Sequence, residues 1–150
     1  MPDTPRKNLK IRRARTSDVA KLAELTRQLG YPSTEKQLRD RLRGLKPTNL
    51  HAVFVADVTG VGVVGWLHVS VSPLLECDLR AEVNGLVVDE TQRSLGAGAQ
   101  LLAAAEKWAK KHRCKSMSVR SNVIRERAHK FYERHAYEHY KTQKSFRKSL

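Results

Sequence analysis

The sequence predicts an α/β fold: a mixed central sheet with helices on both faces, in the order β-α-α-β-β-β-α-β-α-β. Three observations carry that expectation. Apolar residues recur at helical spacing over 19–29 and again over 38–45. The period then changes, to runs rich in Val and aromatics over 51–57 and 61–70. Finally, an apolar strand end, Leu86-Val87-Val88, leads into a glycine-containing turn and a long amphipathic helix. At 150 residues the chain has the size of one domain. Residues 1–8 read as a loosely attached tail and 9–150 as a single domain.

Each element has its own signal. Leu9–Arg15 alternates apolar and basic residues weakly, as an edge strand does. Thr16-Ser17-Asp18 offers an N-cap and an acid for a first helical turn. Val19, Leu22, Leu25 and Leu29 then mark a helix face that Gly30 closes. Thr34 with Gln37 fits a capping box, and Leu38, Leu42 and Leu45 give a second amphipathic helix. His51–Asp57 and Val61–Ser70 form a hairpin around Thr59-Gly60, and Ser72–Arg80 is a loop. Ala81–Val88 is the next strand. Leu101, Ala105, Trp108 and His112 line one face of a helix from about Gly96 to Arg113. Met117–Ser121 is a short strand, and a helix from about Arg125 to His135 carries Ala128, Phe131 and Tyr132 on one side. Tyr137–Leu150 reads as one or two final strands.

Composition narrows the class. Hydrophobic residues are 40% and charged residues 29%, with 8 Gly and 5 Pro, which excludes collagen-like and wholly disordered chains. No apolar run reaches the ~20 residues of a membrane span, and the start lacks the apolar stretch of a signal peptide. A soluble, cytoplasmic protein is expected. Two cysteines are too few for a disulfide framework, and the six histidines show no ligand spacing, so no metal is expected. The net charge of +14 is uneven: residues 51–106 hold 2 Lys/Arg against 7 Asp/Glu, while both ends are strongly basic. Basic ends suit nucleic acid or a polyphosphate cofactor, and an acidic middle suits a cationic amine.

The segment with chemistry is 82–99. Arg93-Ser94-Leu95-Gly96-Ala97-Gly98-Ala99 opens the long helix after a buried strand. Glycines let a ligand approach the backbone, helix-start amides and the helix dipole favour anions, and Arg93 adds a full charge. Together these make a pyrophosphate cradle. The Walker pattern fails because Ala99-Gln100 follow Gly98, and the Rossmann fingerprint fails because position 101 is Leu. A strand–helix turn holding no ligand is the alternative.

Arg93-x-x-Gly96-x-Gly98 after an apolar strand resembles the acetyl-coenzyme-A motif of the GCN5-related N-acetyltransferase (GNAT) family. Ser121-Asn122 followed by Arg125–Tyr137 resembles the family's second motif, and the resemblance runs from about Leu9 to Leu150. Its wording is similar to that of small-molecule acetyltransferases acting on aminoglycosides or aminoalkylphosphonates. Ala136 stands where the family usually has Gly, so the chain must leave that helix without its preferred left-handed residue.

The resemblance implies direct attack of a bound primary amine on acetyl-CoA. Arg93, Ser94, Leu95, Gly96, Ala97, Gly98 and Ala99 would hold the pyrophosphate. Backbone groups of Leu86, Val87 and Val88 would hold the pantetheine arm and polarise the thioester carbonyl. Asn122 would bond the cofactor. Tyr132 matches the donor to the departing thiolate, and reads otherwise as a core aromatic beside Phe131. Glu82, on the face of Asn84 and Leu86 by strand alternation, would be the base, or else a surface carboxylate near Arg80. Glu76 and Asp78 are candidates for acceptor binding. The partners implied are a small-molecule amine and a second copy in a homodimer. A protein or peptide acceptor, of the ribosomal-protein type, is the close alternative. A non-catalytic nucleic-acid module is the distant one, since the basic clusters lack interleaved aromatics.

Overall fold

The computed structural model describes residues 8–46 and 48–150, except the side chain of Ser94. It divides into two units, one running to Arg120 and one over Ser121–Leu150. The first holds β1 (Leu9–Arg13), α1 (Val19–Leu29), α2 (Glu35–Leu45), β2 (His51–Val58), β3 (Gly62–Val71), β4 (Arg80–Val88), α3 (Ala97–Lys111) and β5 (Ser116–Val119). The second holds α4 (Glu126–Arg134). The expected tail lies almost wholly outside the described residues.

The five strands lie in sequence order, antiparallel up to β4 and parallel between β4 and β5. A parallel pair needs a crossover, and α3 supplies it. The sheet carries α1 on one face and α3 on the other. Leu22 and Leu25 of α1 pack with Val55, Val63 and Val87, with Leu38 of α2 and Trp66 at the margin. On the opposite face Leu101, Leu102 and Ala105 of α3 are fully buried. At Gly65 a Cβ would stand 2.9 Å from the Val87 carbonyl and 3.3 Å from Leu101, so α3 closes directly onto the sheet there.

Helix boundaries follow the local chemistry. Thr34 and Gln37 form the capping box, with Thr34 Oγ1 accepting from the Gln37 amide at 3.1 Å and Gln37 Oε1 from the Thr34 amide at 2.9 Å. Gly30 ends α1 with φ of 102°. Asp18 has a different task from the one expected. Residues Thr16–Asp18 make a 3-10 turn, and the buried Asp18 carboxylate takes two bonds from Arg12, both 2.9 Å, and one from the Arg15 amide at 2.8 Å. Arg12 also reaches Asp57 at 3.1 Å, tying β1 to β2 and to the start of α1.

One expected element does not form. Residues 137–150 contain neither strand nor helix, and Tyr140 and Phe146 are exposed. Four Lys/Arg and scattered aromatics supply no alternating apolar face for a sheet to bury.

Candidate active site

β4 is not a regular strand. His68 pairs with Gly85 and Val69 with Val83, so Asn84 is an extra residue and the strand bulges. Beyond the bulge, Leu86, Val87 and Val88 stay paired to β3. Pairing with β5 covers only Arg80–Val83. The β4 edge from Asn84 to Val88 therefore has no strand partner on that side among the described residues, and its backbone groups are available to an extended ligand.

The edge leads into the crossover. Asp89 accepts from the Thr91 amide at 3.0 Å and from its hydroxyl at 2.9 Å, bonds that hold the carboxyl below its usual range. A 3-10 stretch over Glu90–Leu95 carries an exposed Arg93 and ends at Gly96, whose φ is 74°. Nothing lies within 4 Å of where a Gly96 Cβ would point. The glycine is thus needed for its left-handed backbone, not for crowding, and the space above it is open. α3 begins at Ala97, so Ala97, Gly98 and Ala99 supply the helix-start amides that lack partners within the helix. A 15-residue helix adds its dipole.

The bulge corrects the expected position of Glu82. Cross-strand partners share a face, so Glu82 lies with Ser70, His68, Gly85 and Val87, and Leu86 lies opposite with Leu67. One extra residue inverts the alternation. Glu82 is on the α1 face and bonds Arg120 Nε at 3.0 Å.

Around Glu82 this face holds polar groups that sequence reasoning missed. Asn84 Nδ2 donates to Ser70 Oγ at 2.7 Å. His51 Nδ1 and His68 Nε2 are 2.9 Å apart. Ser118, across from Glu82 on β5, has a buried Oγ with no partner among the described residues. Trp66 lies over Gly85, where a Cβ would meet its ring at 2.7 Å. The available signal was the alternation of His68 and Ser70 with Leu67, Val69 and Val71: polar residues on one side of an otherwise apolar strand. The loop with Glu76 and Asp78 is exposed.

In the second unit, Tyr132 packs edge-on against Phe131 and Tyr137, with centroids 5.3 and 5.8 Å away. Burial pushes its phenol up to about 12, with Arg125 opposing weakly. The hydroxyl is un-ionised at neutral pH, a donor by state, and the ring is also a packed aromatic. Asn122 Oδ1 accepts from the Ile124 amide at 3.1 Å, which fixes the chain entering α4 and leaves the side-chain amide nitrogen for other use. Ala136 has φ of 66°, the left-handed exit that its place in the motif demanded.

A model of the acetyltransferase (GNAT) family matches residues 18–137. The chain belongs to the GNAT acetyltransferase family. Solved structures agree in fold. An aminoglycoside N-acetyltransferase in complex with CoA superposes with a TM-score of 0.84 at 19% identity, covering 100% of this chain and 99% of that one. Glucosamine-6-phosphate N-acetyltransferase from Arabidopsis thaliana gives 0.82 at 20% identity, with 94% and 99% covered. Aminoglycoside 6'-N-acetyltransferase from Acinetobacter baumannii gives 0.81 at 18%, with 95% and 99% covered. No curated protein matches the sequence. In this GNAT domain the bulged β4, its open edge and the α3 start follow one another along a single connection. A cavity of about 260 Å³ lies elsewhere, between the end of α2, β2 and Trp108 of α3. No described helix is long and apolar enough to cross a membrane.

Proposed function

We propose that this GNAT domain transfers an acetyl group from acetyl-CoA to a primary amine of a small molecule. The observation that carries the reading is the unpaired Asn84–Val88 edge running straight into the left-handed Gly96 and the start of α3. Such a path fits a ligand with an extended amide arm and a pyrophosphate. The related folds that act on aminoglycosides and on glucosamine-6-phosphate, one of them solved with CoA, support a small amine as acceptor.

Bound acetyl-CoA would supply an activated acetyl thioester. The chain's own residues do the rest. The backbone groups of Leu86–Val88 that face the open edge hold the arm and donate to the carbonyl oxygen, where negative charge develops. Arg93 to Ala99 hold the pyrophosphate, and the free amide nitrogen of Asn122 adds a bond to the cofactor. Glu82 draws in the ammonium and takes a proton, directly or through water. Tyr132 donates to the thiolate sulfur. We also assign the protein to the cytoplasm, where its two free thiols, Cys77 and Cys114, stay reduced. It acts as a homodimer, supported by a C-terminal segment that leaves Tyr140 and Phe146 without cover.

Calorimetry with coenzyme A tests the cradle. Gly98→Glu should abolish binding, because a carboxylate at a helix start meets an anionic ligand. Arg93→Ala should weaken it by about 1–3 kcal/mol, the worth of a charge-assisted bond. Unchanged affinity in the Gly98 variant would remove the cradle. Thiol release from acetyl-CoA across an amine panel then identifies the acceptor.

A further inference from the structure

We propose that His68 is a second proton acceptor for the amine, held in the required tautomer by His51; the inference rests on the acetyl-transfer reading above. Three placements lead there. His68 sits on β3 directly across from Gly85, at the β4 bulge. Its side chain shares the face of Glu82, Asn84 and Ser70, the face to which the acetyl-transfer reading assigns the amine. Its Nε2 is 2.9 Å from Nδ1 of His51, with ring centroids 5.1 Å apart, which is an edge contact between nitrogens and not a stack.

Two nitrogens at that distance need one hydrogen between them. With Nε2–H of His68 donating, Nδ1 of His68 carries a lone pair and accepts no bond from a described residue. Nδ1 is then the atom that takes the proton. The N–H bond of the attacking nitrogen breaks as Nδ1–H forms, and the electron pair stays on the amine. The imidazolium keeps its Nε2–H bond to His51, and the proton taken up at Nδ1 passes to water. His51 is a positioning residue: its Nδ1 lone pair selects the tautomer, as a second partner does for any working histidine.

The surroundings keep His68 neutral, at a cost in basicity. Burial first, and second the repulsion that a charged His51 would exert, depress it to about 4, so it stays in the accepting form throughout the physiological range. The titratable groups beside it on that face are His51 from β2 and Glu82 from β4, the latter bonded to Arg120, with Arg12 and Asp57 farther along the sheet. The apolar cluster on this side of the sheet takes Leu22, Leu25 and Leu29 from α1. Glu82 has one oxygen committed to Arg120, which makes a second acceptor useful. Because the folded value lies below the usual 6.5, the group is neutral in the folded chain while it would charge in the unfolded one. His68 therefore lowers stability as pH falls from about 6.5 to about 4.

Two measurements test the assignment. Nitrogen-detected NMR of the wild-type imidazoles should show His68 neutral at pH 7 with its hydrogen on Nε2. A charged ring, or hydrogen on Nδ1, would overturn the proposal whether or not the enzyme turns over. In the second, His68→Gln should lower kcat about 10²-fold with coenzyme A affinity unchanged. His51→Gln should move the acid limb of kcat upward in pH, since one of the two causes of the depression is removed. A His68→Gln enzyme with wild-type turnover would also overturn it. A chain with the expected tautomer that binds no coenzyme A would instead remove the acetyl-transfer reading, so the two failures are separable.

Discussion

Tyr132 carries the burden of burial at the scale of one residue. Its phenol, raised to about 12, keeps its proton wherever an enzyme works, so it can donate but never act as a base. Between pH 10 and 12 the folded chain binds a proton that the unfolded chain has lost, so this residue makes folding weaken as pH rises through that window. Tyr132→Phe keeps the ring among Phe131 and Tyr137 and removes the hydroxyl. Turnover should fall about 10²–10⁴-fold while coenzyme A affinity and the alkaline fold survive, and steady-state kinetics beside a pH-dependent melt check both. Unaltered turnover would return Tyr132 to a packing role. The packing of Tyr132 beside Phe131 was legible from their places on α4; the face of Glu82 was not. Strand alternation puts Glu82 with Leu86, and the bulge at Asn84 puts it with His68. Asn84-Gly85 inside the strand is a bulge signal, but which residue is the extra one is fixed only by the register against the partner strand.

Elements were legible where their ends carry chemistry. The Thr34–Gln37 box starts α2 and Gly30 stops α1, both as the residues foretell. The last strands were not, since a strand is completed by its partner and residues 137–150 have none among the described residues. The exit of α4 is the instructive middle case. Ala136 adopts φ of 66° although its Cβ opposes it, which costs about 1–2 kcal/mol relative to ordinary helix geometry. Ala136→Gly relieves that strain and gives part back as unfolded-chain entropy. A net gain of about 1 kcal/mol should raise the melting temperature by roughly 2–4 °C. A melting point at or below wild type would mean the left-handed exit is not what α4 ends on.

For the whole molecule, the exposed apolar residues of the last segment call for a cover. The segment after α4 holds four Lys/Arg and one acid, yet leaves Phe146 91% exposed. A second copy is the cover we assign to it. Light scattering at high micromolar concentration should report twice the 17.0 kDa chain mass, and a particle of one chain would refute the pairing.

The strand order also sets a folding sequence. β2, β3 and β4 follow one another through short connections, so their pairings close small loops at little entropic cost. β4 and β5 meet only after the whole 89–115 crossover has folded back, and they then share just four pairs. The last junction to form is thus the first to open. The amides of Ser116–Val119 should be among the earliest in the sheet to exchange with solvent, and the candidate cofactor path runs along the edge where that opening begins.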